Sequence, residues 1–401
     1  MPDPRLQRSG TTAGMLVDVG TSSLTGLCLD ALGNPGEAGG HRFAQAVMPT
    51  LALDAEDCRS LGSDFLRTGF LFDAPQVCAE EFTDAYGVSW LCAEGSPAPF
   101  RHPLEHASLS DIARHPRPAW PQAVQQVPRS TSGMLAVADA PCPGLLETCF
   151  ALRNGWKFME DLTDNWQAAS ALLDWSLETV VEAYARMLSQ LQSPPDVLVY
   201  GDDYGFTGGM FLSEIDFRTF VRPRLRTLLS RLRRLSPAPI CFHSCGAIRP
   251  IVADLAELGV EMLNLDPSAK AMILPEIRTQ LPASIVLHAP IDLVALGQAL
   301  VARDLRAVGL LTVELAQCAP AVAGPADNVQ DVASAQALVH AAAYVHALDA
   351  DDLARLRRFG AVRSIVENAM RSAEAAMAKP RGLTVARLTS GEAGMPHTLA
   401  R

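Results

Sequence analysis

The sequence has few features of a nucleic-acid-binding, membrane-spanning or secreted protein. Its 401 residues carry a formal net charge of -11 with a sequence pI near 5.3, which argues against a nucleic-acid partner. No apolar run is long enough to span a membrane. Nine cysteines are too scattered for a disulfide framework, and the N-terminal MPDPRLQRSG lacks the apolar core of a signal peptide. We therefore expect a reduced, cytoplasmic protein.

Basic residues are concentrated in the stretch RPRLRTLLSRLRR at 222–234. Its apolar residues recur near helical spacing, as in an amphipathic helix. We interpret the arginines as the solvated face of that helix. The alternative is that they form a docking surface for an acidic partner.

The length suits one (β/α)8 barrel with an N-terminal elaboration. Hydrophobic residues make up 49% of the chain, which is enough for a large core. From Gly133 onward, short apolar runs alternate with helical patterns, as in parallel βαβ units. We predict strands near 134–139, 196–201, 239–243, 261–265, 284–288 and 310–315. Because this is fewer than eight, we expect the other barrel strands in the N-terminal half. There, MLV at 15–17 indicates a short strand, and LGSDFLR at 61–67 indicates the end of a helix that enters a strand.

Helices are predicted between these strands and at the end of the chain. The clearest covers Asn165 to Gln192, and another begins at Ser213, where Asp216 completes a capping pattern. Two late helices are predicted at about 330–347 and 350–378.

The chain is predicted to form a single barrel domain at 13–379. Within it, residues 13–130 are expected to form an N-terminal cap, with excursions of the chain over the surface. A disordered lead at 1–12 and a frayed tail at 380–401 complete the predicted organisation.

Two predicted strands end abruptly in polar residues that can bind ligands. VLVYG at 197–201 is followed by DDYG, and PICF at 239–242 is followed by HSCG. The carboxyl ends of parallel barrel strands meet at one mouth, where the chemistry of such folds lies. His243 and Cys245 are two residues apart on an extended strand end, so both point to one side and offer donors that suit zinc. Cys318, just after the last predicted strand, is a candidate third ligand.

These three residues lack the paired short spacings of a structural zinc knuckle. Three protein ligands instead fit a catalytic zinc, which keeps a fourth position for water or substrate. A buried histidine with two inert cysteines is the alternative that the residues alone leave open.

Two longer stretches carry a family resemblance: GDDYGFTGGMFLSEIDFRTFVRPRLRTLL at 201–229 and HSCGAIRPIVADLAELGVEMLNLDP at 243–267. They resemble the uroporphyrinogen decarboxylase superfamily, specifically its zinc- and corrinoid-dependent methyltransferases, such as methylcorrinoid:coenzyme M methyltransferases and O-demethylase methyltransferases. Shorter matches, including LVDVGTSS, LGSDFL, DAYGVSW and CAPAVAGPADNVQ, extend the resemblance from about Met15 to Met370. The resemblance implies a (β/α)8 barrel with its site at the carboxyl-terminal mouth.

The resemblance also implies which residues form the site. In that branch a His-x-Cys pair and a later Cys bind zinc, which here implies His243, Cys245 and Cys318. Asp202 and Asp203 are predicted catalytic residues. One of them could be a fourth ligand that yields to substrate, or could instead orient His243 from outside the ligand set.

Substrate contacts are predicted for Asp18, Tyr204 and His288, although a packed or supporting histidine is an equal alternative for His288. The decarboxylases have an N-terminal arginine-rich segment that grips substrate carboxylates. The comparable place here reads VDVGTS at 17–22. Because Asp18 is acidic where an arginine pair would be needed, a polycarboxylate porphyrinogen is disfavoured as the substrate.

The resemblance therefore favours a zinc-dependent methyltransferase that moves a methyl group between a corrinoid of methylcobalamin type and a small substrate. A substrate thiol would be nucleophilic as a zinc-bound thiolate, whereas a methoxy, methylthio or methylamine-type donor would be activated by zinc as a Lewis acid. The sequence leaves this direction open. The chain shows no Asp-x-His-x-x-Gly corrinoid motif, so the corrinoid is expected on a partner protein.

Two other function classes remain as alternatives. A metal-free lyase related to the decarboxylases would need cationic residues in its pocket, and Arg67 and Arg249 are the candidates. A non-catalytic binding protein on the same barrel is the other, because a fold does not fix a function.

Overall fold

The computed structural model describes residues 14–19, 41–42, 55–73, 81–93, 96–126, 133–326, 329 and 331–378. The lead predicted at 1–12 and the tail predicted at 380–401 lie outside the described residues. In the part described, no helix is both long enough and apolar enough to cross a membrane.

In the part of the chain that the structure describes, eight parallel strands, named β1 to β8 in chain order, form the centre of the fold. They are Leu16–Val17 (β1), Phe65–Phe70 (β2), Leu135–Ala138 (β3), Val197–Gly201 (β4), Ile240–Ser244 (β5), Met262–Leu265 (β6), Val286–His288 (β7) and Ala321–Ala323 (β8). Neighbours in the chain pair from β2 to β8, and β1 pairs with β8. Asp64 donates its backbone N–H to the Val17 carbonyl at 2.7 Å, which places β1 beside β2. The strands therefore form one curled, mostly parallel sheet with β1 near β2, which is an arrangement of the (β/α)8-barrel kind.

One apolar cluster receives side chains from all eight strands. Its members are Leu16, Phe65, Leu135, Val137, Val197, Val199, Cys241, Met262, Val286 and Val322. Because side chains alternate between the two faces of a strand, these residues mark the inner face. A packed interior leaves the ends of the strands as the place for a site.

Helices surround the strands. Their bounds are Ala55–Ser60, Leu109–Arg114, Leu145–Arg153, Gly155–Asp164, Trp166–Gln190, Glu214–Asp216, Phe217–Val221 (π), Arg222–Leu235, Arg249–Ile251 (3-10), Val252–Glu257, Leu274–Gln280, Leu293–Val301, Leu305–Cys318, Val332–His346, Ala350–Phe359 and Arg363–Met377. A second, larger apolar cluster packs them against the outer face of the strands.

Short antiparallel strands elaborate the barrel. Val124–Gln125 pairs with β2, and three strands at Glu81–Thr83, Ser89–Ala93 and Ser96–Arg101 form a separate sheet. Two strand pairs complete the set: His41–Arg42 with Phe72–Asp73, and Gly205–Phe206 with Gly209–Met210.

Five of the six predicted strands are confirmed within two residues, and the sixth is wrong. The run predicted as a strand at 310–315 lies inside the helix Leu305–Cys318, and the last strand begins only at Ala321. Asp304 caps that helix, since its carboxylate accepts the backbone N–H groups of Arg306 and Ala307 at 3.1 and 3.0 Å. A short apolar run cannot by itself distinguish a helix from a buried strand.

The predicted helices mostly agree with the structure. The long one covers Trp166–Gln190, and Ser213 accepts the backbone N–H of Asp216 at 3.1 Å as the predicted cap. The predicted helix at 350–378 is two helices, because Gly360 interrupts it at a φ of 75°.

Candidate metal centre

The end of β4 and the end of β5 bring three donor side chains together at the carboxyl-terminal mouth. Asp203 follows β4, His243 lies in β5, and Cys245 comes directly after β5. The ligand atoms of these three residues all lie within 4.8 Å of one another. Among the described residues, this is the group of His, Cys, Asp and Glu side chains that could hold a metal ion.

Backbone hydrogen bonds fix the three residues relative to one another. Asp203 Oδ1 accepts the N–H of Cys245 at 2.7 Å, and the N–H of Asp202 donates to the His243 carbonyl at 3.0 Å. The Ser244 hydroxyl oxygen accepts the N–H of Tyr204 at 3.0 Å. The two strand ends are thus joined at successive residues.

The spacing of the donor atoms fits one tetrahedral zinc ion. His243 Nε2 lies 3.3 Å from Cys245 Sγ and 3.6 Å from Asp203 Oδ1. Zinc bonds of about 2.0–2.3 Å at tetrahedral angles place two ligand atoms roughly 3.3–3.7 Å apart. The group therefore needs little rearrangement to bind the ion.

The charges of the group also favour a dication. Burial raises the pKa of the Cys245 thiol, and the carboxylates of Asp203 and Asp266 raise it further. A nearby divalent cation has the opposite effect, because it stabilises the thiolate. One thiolate and one carboxylate would then balance the charge of the metal.

A cavity of about 190 Å³ opens beside His243, within the barrel mouth. Its wall is apolar toward the interior and polar toward the mouth. The polar lining residues are Asp18, Arg67, Asp139, His243, Asn264 and His288, and the apolar ones include Phe65, Val137, Val199 and Met262. The side chain of His243 is 38% exposed, so the candidate metal position is accessible.

The polar lining forms a continuous set of contacts. His243 Nδ1 lies 2.7 Å from Asn264 Oδ1, and Asn264 Nδ2 lies 2.7 Å from His288 Nδ1. His288 Nε2 lies 2.9 Å from Asp18 Oδ2, which pairs with Arg67 at 3.0 Å. Two of the predicted substrate-binding residues, His288 and Asp18, thus line the cavity together.

Asp202 has a different position from Asp203. Its carboxylate is fully buried and accepts the N–H groups of Leu146 and Glu147 at 3.1 Å, and the Tyr200 hydroxyl at 3.1 Å. Burial raises the pKa of Asp202 to about 7, although these donors lower it. Asp202 therefore holds the start of the helix Leu145–Arg153 and is not in the metal group.

Glu147 is a residue of the site that the sequence analysis did not identify. Burial raises its pKa to about 8, and the charges of Asp203 and Asp202 add to this. Its carboxyl group thus lies among acidic neighbours beside the metal group. The sequence signal was weak, because Glu147 is one acidic residue in the first turn of a helix.

Cys318 does not join the other two predicted ligands, which corrects the ligand set implied by the resemblance. It ends the helix Leu305–Cys318 and is fully buried before the start of β8, near Arg278. Arg278 donates to the Ile285 carbonyl just before β7, so this is the amino-terminal edge of the strands. His243 and Cys245 lie at the opposite edge. After β8 the chain reads Gly324, Pro325 and Ala326, which supply no side-chain ligand.

Tyr204 also differs from the prediction of a substrate contact. Its ring is buried, with its centroid 5.2 Å from that of Phe217 and 5.9 Å from that of Phe242. It is not among the residues that line the cavity. The tyrosine therefore supports the loop after β4.

Asn264 and Arg67 also lie in the site, but the sequence analysis did not place them there. Asn264 belongs to β6, where it is paired in register with His243 and His288. Arg67 was considered only for the metal-free alternative. The alternation of β6, with Met262 and Asn264 on its inner face, was the signal that could have placed Asn264 in the mouth.

Comparisons with known proteins agree with this fold and position. Residues 148–281 match the family model for uroporphyrinogen decarboxylase, and this segment includes Asp203, His243 and Cys245. A methyltransferase from Methanosarcina mazei has a similar structure, with a TM-score of 0.53 and 18% sequence identity, over 82% of this chain and 93% of that chain. A search of the curated proteins found no match. The resemblance to the uroporphyrinogen decarboxylase superfamily is therefore confirmed over residues 148–281, and the chain shares its fold with a solved methyltransferase.

Proposed function

We propose that this protein is a zinc-dependent methyltransferase that moves a methyl group between a corrinoid, carried by a partner protein, and a small substrate. The observation that carries the proposal is the group of Asp203, His243 and Cys245 at the barrel mouth, beside a small cavity. The fold shared with the Methanosarcina mazei methyltransferase supports it.

The chain's own residues would hold the metal and leave room for substrate. His243 offers its Nε2, Cys245 its Sγ and Asp203 a carboxylate oxygen, so a tetrahedral ion would keep one open position. Bound zinc would supply either a thiolate nucleophile at neutral pH or a Lewis acid for a methylated heteroatom. Burial and the charges of Asp203 and Asp202 raise the pKa of Glu147, which would favour its protonated form beside the metal group.

The size of the cavity supports a small substrate and a separate carrier of the methyl group. Pockets for drug-sized ligands enclose roughly 300–1,000 Å³, and this cavity encloses about 190 Å³. A corrinoid is far larger than a drug-sized ligand. The corrinoid would therefore have to remain outside the cavity, at the mouth, which is where a partner protein could present it.

The metal-free lyase is less well supported by the positions of its two candidate arginines. Arg249 pairs with Glu276 at 3.0 Å and does not line the cavity. Arg67 does line the cavity, but it pairs with Asp18 at 3.0 Å. A pocket for a polycarboxylate would need cations that are not already balanced by carboxylates.

The experiment tests both directions of transfer with zinc-loaded protein. Methylcobalamin is mixed with a set of small thiols, and cob(I)alamin is mixed with small methoxy, methylthio and methylamine donors. Absorbance follows the cobalt centre, and mass spectrometry identifies the methylated or demethylated product. We expect turnover in one direction that His243→Ala removes and Cys318→Ala retains. No transfer in either direction, or transfer that His243→Ala leaves intact, would contradict the proposal.

A further inference from the structure

A line of polar side chains connects the candidate metal group to a buried ion pair. It runs from His243 through Asn264 and His288 to Asp18, which pairs with Arg67. Each of the first three contacts is between 2.7 and 2.9 Å long. Asp18 is 1% exposed and His288 is 4% exposed, so water does not replace these contacts at the inner end.

The direction of each hydrogen bond follows from the buried end. The Asp18 carboxylate, paired with Arg67, can only accept, so His288 carries its proton on Nε2. An amide nitrogen can only donate, so the amide of Asn264 sets the role of the ring nitrogen that it faces. The Nδ1 of His288 then accepts from the Asn264 amide nitrogen.

The same reasoning extends to the metal ligand. With its amide nitrogen donating to His288, Asn264 presents Oδ1 to His243 at 2.7 Å. An amide oxygen only accepts, so His243 must carry its proton on Nδ1. Its Nε2 is left with a lone pair, on the side that faces Cys245 and Asp203.

We infer that Asn264 is a positioning residue, which fixes the tautomer and the ring orientation of His243 before any metal arrives. This inference rests on the proposed function, because a fixed tautomer of His243 is useful only if His243 binds a metal. The tautomer itself can be measured without the metal. Ligating histidines commonly have such an outer partner on the second ring nitrogen. The feature specific to this chain is that the partner is an amide whose own orientation is set by His288 and Asp18.

Two nearly isosteric substitutions separate this role from simple packing. Asn264→Asp keeps an acceptor opposite His243 Nδ1, whereas Asn264→Leu keeps the size and removes the acceptor. Nitrogen-15 NMR of the metal-free protein reads the tautomer of His243, and titration with zinc against a competing chelator reads the affinity. Thermal unfolding shows that each variant is folded.

We expect His243 to carry its proton on Nδ1 in the wild type and in Asn264→Asp, and to lose that preference in Asn264→Leu. Zinc affinity should fall about 10–100-fold in Asn264→Leu and stay within about threefold in Asn264→Asp. A packing role predicts no such difference in tautomer.

A wild-type protein with the His243 proton on Nε2 would overturn the inference, and so would an Asn264→Leu variant that keeps both tautomer and affinity. The wild-type spectrum decides the point even where Asn264→Leu does not fold. A wild type with the Nδ1 proton that never binds zinc would contradict the proposed function and leave the tautomer result standing.

Discussion

Asp202 and Asp203 are adjacent in the chain, but they have different roles because successive side chains at a strand end point to different sides. Asp203 faces His243 and Cys245, while Asp202 faces the start of the helix Leu145–Arg153. The residue before that helix is Gly144, which has no side chain to act as a cap. A Cβ at Gly144 would lie 2.2 Å from Asp202, so glycine there allows the aspartate to reach the backbone donors.

The two aspartates should therefore respond differently to alanine. Asp202→Ala leaves buried N–H groups of Leu146 and Glu147 without their acceptor and should lower the free energy of unfolding by roughly 2–4 kcal/mol. Asp203→Ala removes one part-buried acceptor, that of the Cys245 N–H, and should lower it by only about 1 kcal/mol but weaken zinc binding more than tenfold. Urea unfolding and zinc titration at pH 7 measure the two quantities. Equal effects of the two substitutions on both quantities would contradict these roles.

Because of Glu147, we expect the free energy of unfolding of the metal-free protein to depend on pH. Burial and its acidic neighbours raise its pKa from 4.5 to about 8 in the folded state. Between these values the folded protein holds a proton that the unfolded chain has lost, so the free energy of unfolding should fall as pH rises. Asp202, with its pKa raised to about 7, acts in the same direction.

The test is urea unfolding of metal-free wild type and Glu147→Gln from pH 5 to pH 8.5. The amide cannot ionise, so the variant should lose less stability than the wild type across this range. A wild type whose stability rises with pH, or two parallel profiles, would show that Glu147 does not hold its proton in the folded state.

At the scale of elements, one glycine sets the distance between two helices. A Cβ on Gly297, in the helix Leu293–Val301, would lie 1.9 Å from the backbone oxygen of Ala337 in the helix Val332–His346. The two helices therefore approach closely only because this position has no side chain. Backbone atoms cannot move aside as a flexible side chain can.

Gly297→Ala should consequently destabilise the protein by roughly 1–3 kcal/mol, although alanine favours an isolated helix by about 1 kcal/mol over glycine. Gly309→Ala is the matched control. Its Cβ would lie 3.3 Å from the Ala361 side chain, a contact that a small shift can relieve. Thermal unfolding of both variants compares them. A neutral Gly297→Ala would mean that the helices can separate at little cost.

The elements also show what the sequence could predict. Strands β3 to β7 were found because each is a short, buried apolar run between helical patterns. The short strand predicted at 15–17 corresponds to β1, and the strand predicted to begin within 61–67 corresponds to β2, whereas β8, with only three residues, was not predicted. Such strands are defined by pairing with distant segments, as Leu16 pairs with Val322, and local pattern carries little of that information.

At the scale of the whole molecule, the basic stretch at 222–234 is used within the fold. Its arginines pair with acidic residues of neighbouring helices and of the chain before β6. The pairs are Arg222 with Asp254 and Glu257, Arg224 with Asp174, Arg231 with Glu178 and Arg233 with Glu261. This agrees with a solvated helix face and gives no support to a dock for an acidic partner.

The barrel architecture explains why part of the candidate site could be predicted from the sequence. The barrel geometry alone brings His243, Cys245 and Asp203 to one mouth, because they lie at the ends of two adjacent parallel strands or directly after them. The sequence predicted Cys318 at the wrong edge of the barrel, because the segment before it was predicted to be a strand and is a helix. Asn264 carries no metal-binding signature, and its contact with His243 depends on the register of β5 and β6.

The candidate metal group is tested most directly by the zinc content of purified, reduced protein, compared among the wild type, Cys245→Ala and Cys318→Ala. We expect about one zinc per wild-type chain, loss of that zinc in Cys245→Ala, and retention in Cys318→Ala, because the Cys318 thiol lies at the other edge of the strands. A wild type that takes up no zinc, or a zinc that Cys245→Ala retains, would contradict the proposed metal group.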